Sequence, residues 1–153
     1  MILREYKPIN CVTMAELFYN TVHTINAGDY TNEQLNAWAT GNIDLEAWNC
    51  SFLEHDTLIA ETDGKIVGFA DMEKTGYLDR LYVHKDYQRR GIATALINEL
   101  EQRAGTAGLF NFETCASITA KPIFEKQGYT VDSENKVIRN GITLVNYKMM
   151  KHC

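Results

Sequence analysis

No run of apolar residues in this chain approaches the ~20 that a membrane-spanning helix needs, so no membrane partner is expected. The four cysteines, Cys11, Cys50, Cys115 and Cys153, form no C-x-x-C pair and no regular framework. That argues against a disulfide-stapled domain and reads as free thiols in a reducing compartment. The four histidines, His23, His55, His84 and His152, show no metal-ligand spacing, so no metal is expected. Basic residues are outnumbered, 15 Lys and Arg against 20 Asp and Glu, for a net charge of −5. A nucleic-acid partner would require a concentrated basic face, so none is expected. G-x-G-x-x-G, G-x-x-x-x-G-K-[ST] and G-x-S-x-G are all missing. Their absence counts against dinucleotide, P-loop and nucleophile-elbow chemistry. The N-terminus has no signal-peptide design, which points to a cytoplasmic protein.

The 153 residues, 45% hydrophobic and 23% charged, suit one globular domain over residues 1–153 with a substantial core. Ile2 to Tyr6 reads as a first strand closed off by Pro8. Met14, Leu17, Phe18, Val22 and Ile25 mark an amphipathic helix ending near Gly28. Thr31-Asn32-Glu33-Gln34 has the form of a capping box, and Asp44 can cap a third helical piece through Trp48 and Phe52. Strands follow at Thr57–Glu61 and Lys65–Glu73 around Asp63-Gly64, then at Tyr77–Val83. Ile92, Ala93, Leu96, Ile97, Leu100 and Ala104 recur at helical spacing. Leu109–Thr114 is a further strand, and Ser117 or Thr119 can cap a helix that Gly128 ends. Lys136–Arg139 and Ile142–Met150 flank Asn140-Gly141, a hairpin signal. The order β-α-α-β-β-β-α-β-α-β-β predicts an α/β protein whose mixed, mostly antiparallel central sheet is flanked by helices.

Gln88-Arg89-Arg90-Gly91-Ile92-Ala93 lies between a strand and a helix. Its glycine permits close backbone approach, the helix N-terminus offers orphan amides, and two arginines add charge-assisted donors. Such a turn is a phosphate cradle. Together with Val83 before it, the segment resembles the acyl-CoA-binding motif Q/R-x-x-G-x-G/A of the GNAT superfamily of N-acetyltransferases. The segment from Ala116 to Tyr129 and the order of elements extend the likeness over nearly the whole chain, and His23 to Trp38 is similar to a YafP-like bacterial subgroup. The resemblance implies acetyl-CoA as cosubstrate and an amine acceptor, small molecule or protein. It assigns CoA binding to Leu81, Tyr82, Val83, Gln88, Arg89, Arg90, Gly91, Ile92, Ala93, Thr94, Ser117 and Phe124. A homodimer is a further possibility of this class.

In the family, a bulge near the end of the fourth strand aims a main-chain N–H at the thioester carbonyl. The matching positions are Leu81 to Val83, with Val83 the expected donor. A base must take the amine's proton. Asp79, Glu113, His23 and Tyr77 are the candidates, with His23 and Glu113 placed ahead of Asp79. Tyr77 stands where some members carry a catalytic glutamate. Many members protonate the thiolate with a tyrosine, and Phe124 occupies that position here. Tyr129, Tyr82 or Ser117 would have to serve, or the thiolate would leave unassisted. Phe124 also leaves open a non-catalytic acyl-CoA sensor. Trp38, Trp48, Tyr19 and Tyr30 fall in the region that builds the acceptor pocket in the family.

Overall fold

The computed structural model describes residues 1–153. Strand β1 (Ile2–Glu5) leads through a 3-10 turn into α1 (Cys11–Thr24), α2 (Asn32–Trp38) and α3 (Leu45–Glu54). Then come β2 (Asp56–Thr62), β3 (Lys65–Met72), β4 (Tyr77–Val83), α4 (Ile92–Thr106), β5 (Asn111–Ser117), α5 (Lys121–Lys126), β6 (Thr130–Arg139) and β7 (Ile142–His152). The seven strands form one sheet in the order β1-β2-β3-β4-β5-β7-β6. Helices α4 and α5 cover one face through Leu96, Ile97, Leu100 and Phe124. The helices α1 to α3 cover the other through Met14, Phe18, Leu35 and Phe52. No helix is long and apolar enough to cross a membrane.

Local chemistry set most boundaries. Thr31 Oγ1 accepts from Gln34 N while Gln34 Oε1 accepts from Thr31 N, so the predicted capping box starts α2. Asp44 caps α3 through Ala47 N, and that third piece is a full helix, one more than the predicted order contained. Asn140 and Gly141 both have positive φ, as a type I′ turn demands. Two expectations were displaced. Strand β5 begins at Asn111 rather than Leu109, because Leu109 N donates to Ala104 O and so belongs to the closing turn of α4. Neither Ser117 nor Thr119 caps α5: Ser117 Oγ accepts from Ala120 N, and Thr119 Oγ1 donates to Asp29.

One seam of the sheet is open. β4 and β5 are parallel and pair only at Tyr77–Glu113 and Leu78–Thr114. They start close because Gly76, at φ +94, lies where a Cβ would stand 2.6 Å from Asn111 O. Beyond Leu78, β4 stays with β3 while β5 stays with β7 through Ser117. A bulge at Asp79, the extra residue between the Met72–Leu78 and Asp71–Arg80 pairs, twists β4 away. The bulge therefore lies early in β4, not near its end as the resemblance suggested.

Candidate active site

The open seam is a cleft of about 180 Å³ that reaches both faces of the sheet. On the α4–α5 side its lining includes Leu81, Val83, Ala93, Ile123 and Phe124. On the other side are Tyr30, Trp38 and Tyr82, with Val137 and Leu144 from the β6–β7 hairpin. A thioester entering from one face and an acceptor from the other would meet between β4 and β5.

The cradle closes the first side. Ala95 N is the first amide in the α4 ladder, donating to Gly91 O, so Ile92, Ala93 and Thr94 precede any intrahelical partner. No side chain caps this end. Gly91 has φ +78 and a Cβ there would meet nothing within 4 Å, so the space over the turn is open, as a ligand's phosphate requires. Arg89 also has positive φ, at 61°. Arg90 lies 4.8 Å over the Tyr87 ring, which fixes its guanidinium beside the turn. The Gln88 side chain turns inward instead and donates to Val83 O at 2.8 Å and His84 O at 3.2 Å. It positions β4 against the turn.

Beyond the cradle, β4 offers its backbone to the cleft. His84 N donates to Val67 O on β3, so by strand alternation the Val83 amide edge faces away from β3. The Val83 carbonyl on that edge accepts from Thr21 Oγ1 and Gln88 Nε2. The N–H groups of Leu81 and Val83 on the same edge have no strand partner, since β5 has already diverged. They are placed to polarise a carbonyl lying in the seam.

A family model for an acetyltransferase (GNAT) domain matches residues 26–151. The chain belongs to the GNAT family of acetyltransferases. It is 29% identical over 147 residues to YafP, an uncharacterised N-acetyltransferase of Escherichia coli K12, covering 96% of this chain and 93% of YafP. A GCN5-related N-acetyltransferase from Rhodopseudomonas palustris superposes with TM-score 0.95 at 36% identity, covering 99% and 95% of the two chains. The PaiA N-acetyltransferase of Thermoplasma acidophilum, solved with coenzyme A, has the same fold at TM-score 0.84 and 18% identity, covering 99% and 98%.

The GNAT cleft receives one of the three carboxylate and imidazole candidates. Asp79 lines it. Burial raises the Asp79 carboxyl above the usual carboxylate range, against the opposing pull of Arg80 at 3.4 Å. His23 is elsewhere: its Nε2 bonds Ala39 O at 2.7 Å and its ring packs on Tyr19, so it ties α1 to the end of α2. Glu113 faces a separate groove with Lys151 and His152, because it pairs with Tyr77 at the closed start of the seam; Cys115 and Ser117, on the same face of β5 further along, do line the cleft. Tyr129 is also misplaced as an acid. It is buried, its hydroxyl donates to Glu101 at 2.7 Å, and burial pushes its pKa further up. Phe124 lines the cleft edge-on to Tyr129 and has no proton to give. Tyr82 turns its side chain to the α1–α3 side, against Phe18, and burial raises its pKa too. Ser117 lines the cleft with its hydroxyl already accepting from Ala120 N. Trp48 and Tyr19 are not among the lining, whereas Tyr30 and Trp38 are.

Behind Asp79 lies a network absent from the sequence reading. Asp71, fully buried, accepts from Arg80 at 2.5 Å and bonds His55 Nδ1 at 2.7 Å. Arg80 also donates to Ser51 and stacks on Trp48 and Phe52. His55, Asp71 and Asp79 bring ligand atoms within 4.8 Å of one another, a metal-like grouping that spacing along the chain concealed. The Arg80 guanidinium stands among those carboxylates, so the donor set is that of an ion-pair network.

Proposed function

We propose that this protein transfers the acetyl group of acetyl-CoA to a primary amine by direct attack. The observation that carries the reading is the open seam joining a phosphate cradle to an unpaired β4 edge. Amides of Ile92 to Thr94, with Arg89 and Arg90, hold the pyrophosphate; the Val83 or Leu81 N–H polarises the thioester carbonyl. The acceptor nitrogen attacks that carbon, the C–S bond breaks, and its electron pair leaves with the thiolate. Asp79, directly or through one water, takes the ammonium proton. With Phe124 at the thiolate end, release proceeds without a tyrosine acid, consistent with a thiol pKa of about 8.5.

The test is thermal unfolding with acetyl-CoA, using ATP and NAD as controls, followed by free-thiol release with amines. Ligand at a hundredfold its dissociation constant stabilises by about 2.7 kcal/mol. A midpoint raised by acetyl-CoA alone, with amine-dependent thiol release, is the expected result. A raised midpoint with no release for any amine would favour the second reading, an acyl-CoA sensor, for which Phe124 speaks. No shift would remove both.

A further inference from the structure

Among the residues lining the cleft only Asp79 and Arg139 are charged, and only Asp79 has a counter-ion. Arg139, at the end of β6, takes part in none of the molecule's ion pairs. An arginine beside a hairpin turn is commonly no more than a solvated charge, but three observations set this one apart.

The hairpin is fixed. Asn140 Nδ2 donates to Ala37 O at 2.9 Å, Gln34 Nε2 to Thr143 O at 3.1 Å, and Tyr30 Oη to Val145 O at 2.7 Å. Arg139 is thus presented from a braced position and loses less freedom on binding. Its register also places it on the cleft side of β6, where it lines the cleft while its side chain stays solvent-exposed. Arg139 shares a face with Val137, which packs against the same buried cluster as Trp38 and Tyr82, while Ile138 between them is 74% exposed on the outer face. The Arg139 charge reaches the Tyr82 phenol, whose burial-raised pKa it pulls back down. Finally, Asn146 lines the same half of the cleft with its Oδ1 buried and unpartnered. Leaving such an atom unpaired is costly, and an incoming N–H would satisfy it.

We propose that the acceptor amine carries its own carboxylate, received by Arg139, so that the cleft selects an amino acid with an apolar side chain. The proposal rests on the acetyltransferase reading above. A guanidinium fork matches a carboxylate in two parallel hydrogen bonds. Tyr30, Trp38 and Tyr82 supply the apolar wall for the side chain. The amine then points toward Asp79 and the seam, the opposite charge from Arg139.

The experiment measures free-thiol release at saturating acetyl-CoA from the full chain. L-phenylalanine, L-leucine and L-methionine are set against phenethylamine, isopentylamine and 3-(methylthio)propylamine. Wild type should prefer the amino acids by about tenfold to a hundredfold in kcat/KM, the range of one charge-assisted pair. Arg139→Ala should erase the preference through KM rather than kcat, Arg139→Lys should restore part of it, and Arg139→Glu should reverse it. The midpoint shift with acetyl-CoA should persist in all four proteins. The proposal is overturned if wild type uses the decarboxylated amines equally well, or if Arg139→Ala keeps the preference. Thiol release from none of the amino acids, in a protein that acetyl-CoA stabilises, overturns it too. Loss of the acetyl-CoA shift in wild type would instead strike the acetyltransferase reading.

Discussion

Asp79 combines two properties that give opposite signs in two measurements. Burial, the largest influence on it, holds its carboxyl above the value it has in the unfolded chain, about 3.9. A group raised on folding contributes stability below its unfolded pKa and loses that contribution as pH rises through its folded one. Asp79→Asn should therefore be more stable than wild type at neutral pH, with the gap narrowing as pH falls through the folded value and closed below about 4. The same variant should lose about 10²–10⁴-fold in kcat, the worth of a positioned base. Urea unfolding across pH beside steady-state rates reads both; a variant less stable at neutral pH would mean the Arg80 pair outweighs burial. Gly68 sits under the cradle from the other direction. A Cβ there would stand 2.9 Å from Ile92 Cγ2 and 3.3 Å from Tyr82 O. Gly68→Ala should push the first turn of α4 off β3, costing about 1–3 kcal/mol and weakening acetyl-CoA. Unchanged stability and affinity would refute that packing account. Nothing in the alternating pattern of β3 singles Gly68 out, because the atom it avoids belongs to an element 24 residues on.

At the scale of elements, Tyr30 is the staple of the acceptor side. Its hydroxyl donates to Val145 O on β7 and accepts from Ile118 N after β5, at 2.7 and 2.9 Å. Tyr30→Phe keeps the ring against Trp38 but orphans a carbonyl and an amide. The expected loss is about 1–3 kcal/mol for each group left dry, together with a raised KM for the acceptor and an unaltered one for acetyl-CoA. Equal rises in both KM values would mean the staple holds the whole seam and not only the hairpin. This division matches what the sequence disclosed. The turn at Gly91 that opens α4, the Thr31 box and the Asn140-Gly141 turn are written in adjacent residues, so the local geometry of each was legible. The network of His55, Asp71 and Arg80 joins α3's end to β3 and β4, and no local pattern connects them. His23 and Glu113 had the right chemistry for a base. His23 is tied to Ala39 O, and Glu113 lies where β4 and β5 are still paired, short of the point at which they part; neither position follows from spacing along the chain.

For the molecule as a whole, the open seam leaves β4 and β5 joined by only two residue pairs, so the polar network beside it bears on global stability. Its titrating member is His55. The hydrogen bond to Asp71 raises the imidazole, against burial, which lowers it. A histidine raised on folding stabilises fully below its unfolded pKa of about 6.5, and the contribution disappears as pH climbs through the folded value. His84 runs the other way: burial first, then Lys65, lowers it, so its contribution fails on acidification. The two must be separated by difference. Comparing wild type with His55→Gln cancels His84 and every other group the pair share. The stability gap should be widest below about pH 6.5, the unfolded value, and should narrow as pH rises through the raised folded one, as protonated His55 gives up its charge beside buried Asp71. Chemical denaturation of both proteins at matched ionic strength reads the gap directly. If it widened with rising pH, the imidazole would be neutral in the fold, and the Asp71 carboxylate would be balanced by Arg80 alone.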